Sequence, residues 1–231
     1  MNKPLILLAV MVSAAAVSCG GRQRPAQEGT QTVHNLILMD MSSSMSLFRN
    51  TAVASINASL SSISAAADSL PDLSQRVTIA VFNRTKLHSG VRFLVKDAPA
   101  GKVGTVTRRD YVPDGKTPLY DALASSIALL DGKVHDGDAV LVTVITDGLE
   151  NASKRMTLKD IRSLVEERKA RGWEFTCLGS GLSAMGEAAR MGISDCIERE
   201  RTKEGLLKTT KRADEKRYER YRHLVETRKR K

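Results

Sequence analysis

The sequence predicts an α/β fold: a doubly wound, mostly parallel six-stranded sheet flanked by helices. Two observations carry this. The apolar runs Leu36-Ile37-Leu38-Met39 and Val140-Leu141-Val142-Thr143-Val144-Ile145 are continuous rather than alternating. Strands that are apolar on both faces belong in a parallel sheet covered by helices on each side. Strand-like and helix-like segments also take turns along the chain, the order expected of a layered α/β domain. With 231 residues there is room for one such domain and short appendages, but not for two large cores.

The first strand is expected at 33–40, followed by a helix at about 47–70 that Pro71 closes. Strands at 76–83 and 91–96 come next, then a helix at 118–131. The longest apolar strand, 139–147, leads to a helix at 157–171 with Gly172 as its stop signal. A strand at 173–180, a helix at 183–191 and a short strand at 195–198 complete the domain, set at 33–200. A doubly wound sheet of this kind opens a ligand crevice at the carboxyl ends of its central strands.

The flanking segments carry different signals. Met1-Asn2-Lys3 supplies one positive charge, and residues 4–18 are uncharged and rich in Leu, Ile, Val and Ala. That stretch is too short for a bilayer span of about 20 residues and has the pattern of a signal peptide over 1–18. Ala16-Val17-Ser18-Cys19 resembles a bacterial lipoprotein processing site, which implies lipid attachment at Cys19 and a place in the cell envelope. Ala16 stands where Leu is usual, and cleavage after Ala14-Ala15-Ala16 would instead release a soluble secreted protein. Residues 19–32 read as a flexible tether. With Cys19 acylated, Cys177 and Cys196 are expected as two buried, unpaired thiols.

The formal charge of +10 is concentrated at the C-terminus, where 199–231 holds fourteen Lys or Arg against six Asp or Glu. The domain itself is nearly neutral. With four Phe, four Tyr and one Trp there is little surface for stacking bases, so specific nucleic-acid binding is not expected. The segment 201–231 reads as a basic helix or tail: a fifth helix is expected near 202–225, with Leu206, Leu207, Ala213, Tyr218, Tyr221, Leu224 and Val225 at roughly helical spacing, which either packs on the domain and frays into 228–231 or makes weak contact with anionic lipid.

At the end of the first strand, Asp40-Met41-Ser42-Ser43-Ser44 places a carboxylate and two hydroxyls in a strand-to-helix loop. Gly115-Lys116-Thr117-Pro118-Leu119-Tyr120-Asp121 sets a further hydroxyl before a helix, and Thr146-Asp147-Gly148-Leu149-Glu150-Asn151 ends the longest strand with an acid. Hard oxygen donors from three loops suit Mg²⁺ best, with Mn²⁺ or Ca²⁺ as alternatives. The competing reading makes Ser44 or Ser46 a helix cap and Asp147 a turn residue.

Together these residues resemble the metal-ion-dependent adhesion site of von Willebrand factor type A domains, a Rossmann-like family, over about residues 33–200. Asp40, Ser42, Ser44, Thr117 and Asp147 match its pattern position for position, with Ser43 where Gly is common. The resemblance implies that Ser42, Ser44 and Thr117 coordinate the ion while Asp40 and Asp147 hold its waters and the hydroxyls. It also implies that the ion keeps a position open for an acidic side chain of a protein partner. Glu150 and Asn151 are expected at the rim of the site.

Other chemistries fit poorly. Gly115-Lys116-Thr117 looks like the end of a phosphate-binding loop, but Asp110 stands where that motif needs Gly. Ser42 occupies the position where an aspartyl phosphatase would need a second acid. Gly181-Leu182-Ser183-Ala184-Met185 lacks the final Gly of a serine-hydrolase elbow. The expectation is therefore a binding module and not an enzyme. A metal-dependent phosphoester hydrolase, or a domain whose metal is purely structural, remains the alternative. His34, His88, His135 and His223 are scattered and read as packing or surface residues.

Overall fold

The computed structural model describes residues 30–230. The signal segment 1–18, Cys19 and most of the tether lie outside these residues. Among the described residues, no helix is long and apolar enough to cross a membrane.

Six strands form one sheet: β1 (Gln31–Asp40), β2 (Leu73–Arg84), β3 (Ser89–Pro99), β4 (Ala139–Thr146), β5 (Glu174–Ser180) and β6 (Asp195–Arg199). Their spatial order is β3-β2-β1-β4-β5-β6, and every pairing is parallel except the β2–β3 hairpin. Five helices connect or follow them: α1 (Arg49–Ser69), α2 (Leu119–Asp131), α3 (Leu158–Ala170), α4 (Gly181–Arg190) and α5 (Lys203–Lys229). The expected mixed-but-mostly-parallel α/β architecture is what the chain adopts.

The unbroken apolar runs are explained by the two cores they divide. Leu36 and Leu38 point to one face, where Leu119, Leu123 and Ile127 of α2, Ile161 and Val165 of α3 and Ala188 of α4 cover them. Ile37 and Met39 point to the other face, toward Ile56 and Ile63 of α1 and Leu206 and Ala213 of α5. Period-two alternation along a strand thus serves two layers at once. The buried residues Ala52, Ile56 and Ile63 recur at helical spacing and give α1 its inner face.

The segment expected as a basic helix or tail forms α5, and its apolar side belongs to the fold. Tyr221 and Val225 pack with Val33, Ala66 and Leu141 in a third cluster, and the Tyr221 hydroxyl donates to Asn35 Oδ1. Beneath this helix lies a buried polar chain: Ser59 Oγ of α1 donates to Asp214 at 2.8 Å, Asp214 pairs with Arg217, and Arg217 donates to Thr143 Oγ1 of β4 at 3.0 Å. Buried charges survive only when paired and bonded in this way.

The expected helix start near residue 47 falls instead in a 3-10 turn, Ser43–Phe48, which precedes α1. Cys177 and Cys196 face each other as register partners on β5 and β6 and are both free thiols. Cys177 is buried as expected, but Cys196 is only half-buried, because β6 is the edge strand of the sheet among the described residues. At the amino end of the sheet, buried His34 has Asp97 Oδ1 at 2.7 Å from its Nδ1 and Asp138 Oδ2 at 3.3 Å from its Nε2. This packing role lies at the end of β1 opposite Asp40.

Candidate functional site

From β1 the chain first moves one way to β2 and β3, then crosses back through α2 to β4 on the other side. The reversal leaves a crevice between the carboxyl ends of β1 and β4. Asp40 ends β1 and Asp147 follows β4, so topology alone brings the two carboxylates to one place.

Short hydrogen bonds tie the first loop to the third. Ser42 Oγ lies 3.0 Å from Ser44 Oγ, and Ser44 Oγ donates to Asp147 Oδ1 at 2.6 Å. Asp40, fully buried, accepts from the Ser42 N–H at 2.7 Å and from Thr146 Oγ1 at 2.7 Å. One carboxylate therefore fixes the ends of both central strands. Burial, opposed only in part by these bonds, pushes the Asp40 carboxyl up to about 6, and the nearby Asp147 adds to the rise.

The Thr117 loop is brought in by backbone contacts. Ser43 N–H donates to Gly115 O at 3.0 Å, and Lys116 exchanges two 2.9 Å bonds with Arg84 at the end of β2. Gly115 makes this approach possible: its φ is +74°, and a Cβ there would meet Arg84 O at 2.2 Å. Asn151 pins the loop from the other side, accepting from Thr117 N–H at 2.9 Å and donating its own N–H to Thr117 O at 3.1 Å. Thr117 itself is buried, 3% exposed. A Cβ placed at Gly148 would lie 3.7 Å from Thr117 Oγ1 and 4.0 Å from Ser44 Oγ, so both hydroxyls face the space above this glycine.

All five residues singled out in the sequence thus come from three loops to one crevice. Their oxygens suit a hard cation, and the convergent hydroxyls beside two carboxylates fit one. Among the described residues there is no cluster of three or more His, Cys, Asp or Glu arranged for a metal. A cation here would rest on hydroxyls as much as on acids.

Glu150 and Asn151 lie beside the site, but their polar atoms brace it. Glu150 accepts from the N–H groups of Tyr120, Ala152 and Ser153 and from the Ser153 hydroxyl, which joins the third loop to the first turn of α2. Asp121 returns the favour, accepting from the N–H groups of Lys154, Arg155 and Met156 at 2.9, 3.0 and 2.9 Å. Burial pushes the Asp121 carboxyl up, yet these donors outweigh it and hold the group below the usual aspartate range. Its contribution to stability is therefore present above the ordinary aspartate value of about 3.9 and is lost as pH falls through the depressed one. Asp121→Asn should cost about 2–3 kcal/mol at pH 7, because an amide nitrogen would face backbone donors. Urea unfolding at pH 7 and again near pH 3 checks this, and the gap between wild type and variant should narrow at the lower pH.

Several residues at the site carry no motif signal. Tyr111, buried, donates its hydroxyl to Asp40 O. Arg201, largely exposed, lies 3.4 Å from Asp147 Oδ2. Arg199 is 2% exposed, with its guanidinium 4.9 Å from the Phe48 ring and no hydrogen-bond partner for Nε or Nη1 among the described residues. Burial works against its charge, while Asp147 and Asp40 favour it. Alternation from inward-facing Ile197 along β6 was the one clue that Arg199 points inward.

No family model and no curated protein matches the sequence. Solved structures do. The PilB minor pilin from Streptococcus sanguinis aligns with 85% of this chain at 13% identity and a TM-score of 0.55. The pilus adhesin SpaC from Lactobacillus rhamnosus GG, in its open conformation, aligns with 84% at 14% identity and a TM-score of 0.64. The chain spans 63% of the length of the first and 31% of the second. The SpRpn10 VWA domain aligns with 76% of this chain and 92% of its own length, at 12% identity and a TM-score of 0.52. What these similarities establish is the fold: this chain shares its α/β fold with these structures, a VWA domain among them.

Proposed function

We propose that this chain is an envelope-tethered module that binds a protein partner through a divalent cation, Mg²⁺ foremost, held by Asp40, Ser42, Ser44, Thr117 and Asp147. The observation that carries the reading is the linked row of Ser42, Ser44 and Asp147 oxygens, with the Thr117 and Ser44 hydroxyls both near Gly148, at the switch point of the sheet. When bound, the cation offers an electrophilic position that a partner's carboxylate can fill. The chain's own part is positional: Asp40 clamps the first loop to the end of β4, and Asn151 and Gly115 hold Thr117 against it.

Binding is favoured over hydrolysis by how the neighbouring groups are engaged. Glu150 accepts from three backbone N–H groups and a hydroxyl, and Tyr111 donates to a carbonyl. Neither acid nor phenol is poised toward a substrate as a general base would be. That two structural neighbours are a minor pilin and a pilus adhesin supports a role in attachment or assembly at the cell surface. A crosslinking pull-down from the native envelope, repeated with chelator, tests the reading. Partners recovered only without chelator support it, and recovery indifferent to chelator counts against it.

The tether makes its own prediction. Cys19→Ser should move the protein from the membrane to the soluble fraction, since each buried methylene of an acyl chain contributes about 0.8 kcal/mol to anchoring. Fractionation with radioactive palmitate labelling checks it. A variant still labelled and still sedimenting with membranes would assign the anchor elsewhere.

A further inference from the structure

Helices α1 and α5 lie side by side on one face of the sheet, and near the middle of each Ser59 Oγ donates to Asp214. Between them runs an open groove of about 870 Å³, lined on the α1 side by Ser55, Ala58, Ser62, Ala65 and Ser69. These small residues recur at intervals of three and four, the spacing of a helix seam, and span about 21 Å at 1.5 Å per residue. A trench of that length suits a helix better than a small molecule. Ser55 is 0% exposed, lines the groove, and has no hydrogen-bond partner for its hydroxyl among the described residues. On the opposite wall Leu207 and Tyr218 stand 45% and 37% exposed, about three turns apart along α5.

The charges along this groove differ from those of α5 as a whole. Three of the six acids in 199–231 line it, but only two of the fourteen bases do, Lys211 and Arg222. Anionic headgroups would meet no basic surface there, whereas a surface of balanced sign suits a protein. We propose that the groove receives α5 of a second copy of this chain, running antiparallel about a two-fold axis level with Ala213. An isologous contact needs one surface that carries both its knobs and its holes. Here Leu207 and Tyr218 are the knobs, and the small side chains of Ala58, Ser62 and Ala65 leave the holes. The same axis sets Lys211 against Glu215, and Glu204 against Arg222, of the second copy, and each pairing occurs twice. It also brings Glu219 of the second copy to the Ser55 end of the groove, where its carboxylate can accept from the buried hydroxyl. Within one copy Lys211 lies 3.8 Å from Glu215, a pair 80% and 62% exposed and therefore weak enough to be exchanged. The contact lies on the helical face, away from the carboxyl end of the sheet, and does not depend on the proposed cation site.

Sedimentation equilibrium of the purified full chain in density-matched detergent measures the association, with urea unfolding beside it to check each fold. A monomer–dimer equilibrium is expected, and EDTA should leave it unchanged. Tyr218→Ser should weaken the dimer about tenfold or more, since a two-fold axis makes each substitution felt twice. Ala65→Leu fills a hole and should weaken the dimer although it adds apolar surface; tighter association in that variant would mark non-specific adhesion and overturn the inference. Lys211→Glu and Glu215→Lys should each weaken the dimer by about tenfold, and the variant carrying both should recover it. All four side chains are exposed, so the urea midpoints should match wild type. A chain that stays monomeric at every concentration reached, a dimer that EDTA dissociates, or a charge swap that fails to restore association would each overturn the inference. A photocrosslinker at position 218 that joins the chain, in its native envelope, only to a different protein would assign the groove to that partner. Binding of phosphatidylserine vesicles that is lost in Tyr218→Ser would assign it to a membrane; either result overturns the inference as well.

Discussion

Asp40→Asn should lower Mg²⁺ affinity on the order of 100-fold, about 2.8 kcal/mol at 1.4 kcal/mol per decade, while the fold survives. The amide keeps the shape of the carboxylate. Its oxygen still accepts from the Ser42 N–H, and Thr146 Oγ1 can turn to accept from the new NH₂ group. Burial already disfavours charge at this position, so a neutral side chain costs the fold little. What the variant loses is the negative charge at the base of the crevice. Calorimetric titration of the purified protein measures the affinity, and urea unfolding measures the fold. Unchanged affinity with an unchanged midpoint would place any bound cation elsewhere. A variant that loses both would make Asp40 chiefly a structural clamp, and Ser44→Ala, which removes one donor to Asp147, would then be the variant to titrate.

The convergence of the five candidate residues was legible because their spacing is local and their context is simple. A carboxylate and two hydroxyls lie within five positions at the end of an apolar strand, and a second acid ends another strand; a parallel sheet then brings both strand ends together without further information. The bracing was less legible. Asp121 and Glu150 hold each other's loops by accepting from backbone N–H groups, which no side-chain motif announces. Arg199 and Arg201 lie where the domain gives way to the basic helix or tail, and nothing in that run of charges sets them apart. Their meaning depends on β6 joining the sheet beside β5, which places its carboxyl end near the site.

The same run holds the helix expected near 202–225, and what its charge obscured was how much of it is buried. Its buried residues Leu206, Ala213, Tyr221 and Val225 are widely separated among Lys and Arg, and two buried positions are themselves charged, Asp214 and Arg217. Read as charge, the segment belongs in water; read as structure, it closes one face of the sheet.

A chain ending after residue 201 should therefore fail to hold the native fold. Removing α5 uncovers Leu206's and Ala213's partners in the core formed by Ile37, Ile56, Ile63 and Ile197, and strips Tyr221 and Val225 from Val33 and Leu141. Each large apolar side chain that loses its burial forfeits about 1.5–3 kcal/mol. Ser59 and Asn35 also lose the bonds they make to Asp214 and Tyr221 beneath the helix. Against a typical stability of about 5–15 kcal/mol, losses of this size at several positions leave little or nothing. Circular dichroism and urea unfolding of the shortened chain beside the full one decide the matter. Absence of a cooperative transition is the expected outcome, whereas a transition at the full-length midpoint would show that the basic helix is an appendage to a domain complete without it. Asp214→Ala gives the milder form of the same test. It leaves Arg217 buried beside Thr143 without its carboxylate, and breaking a buried pair in this way costs about 3–5 kcal/mol.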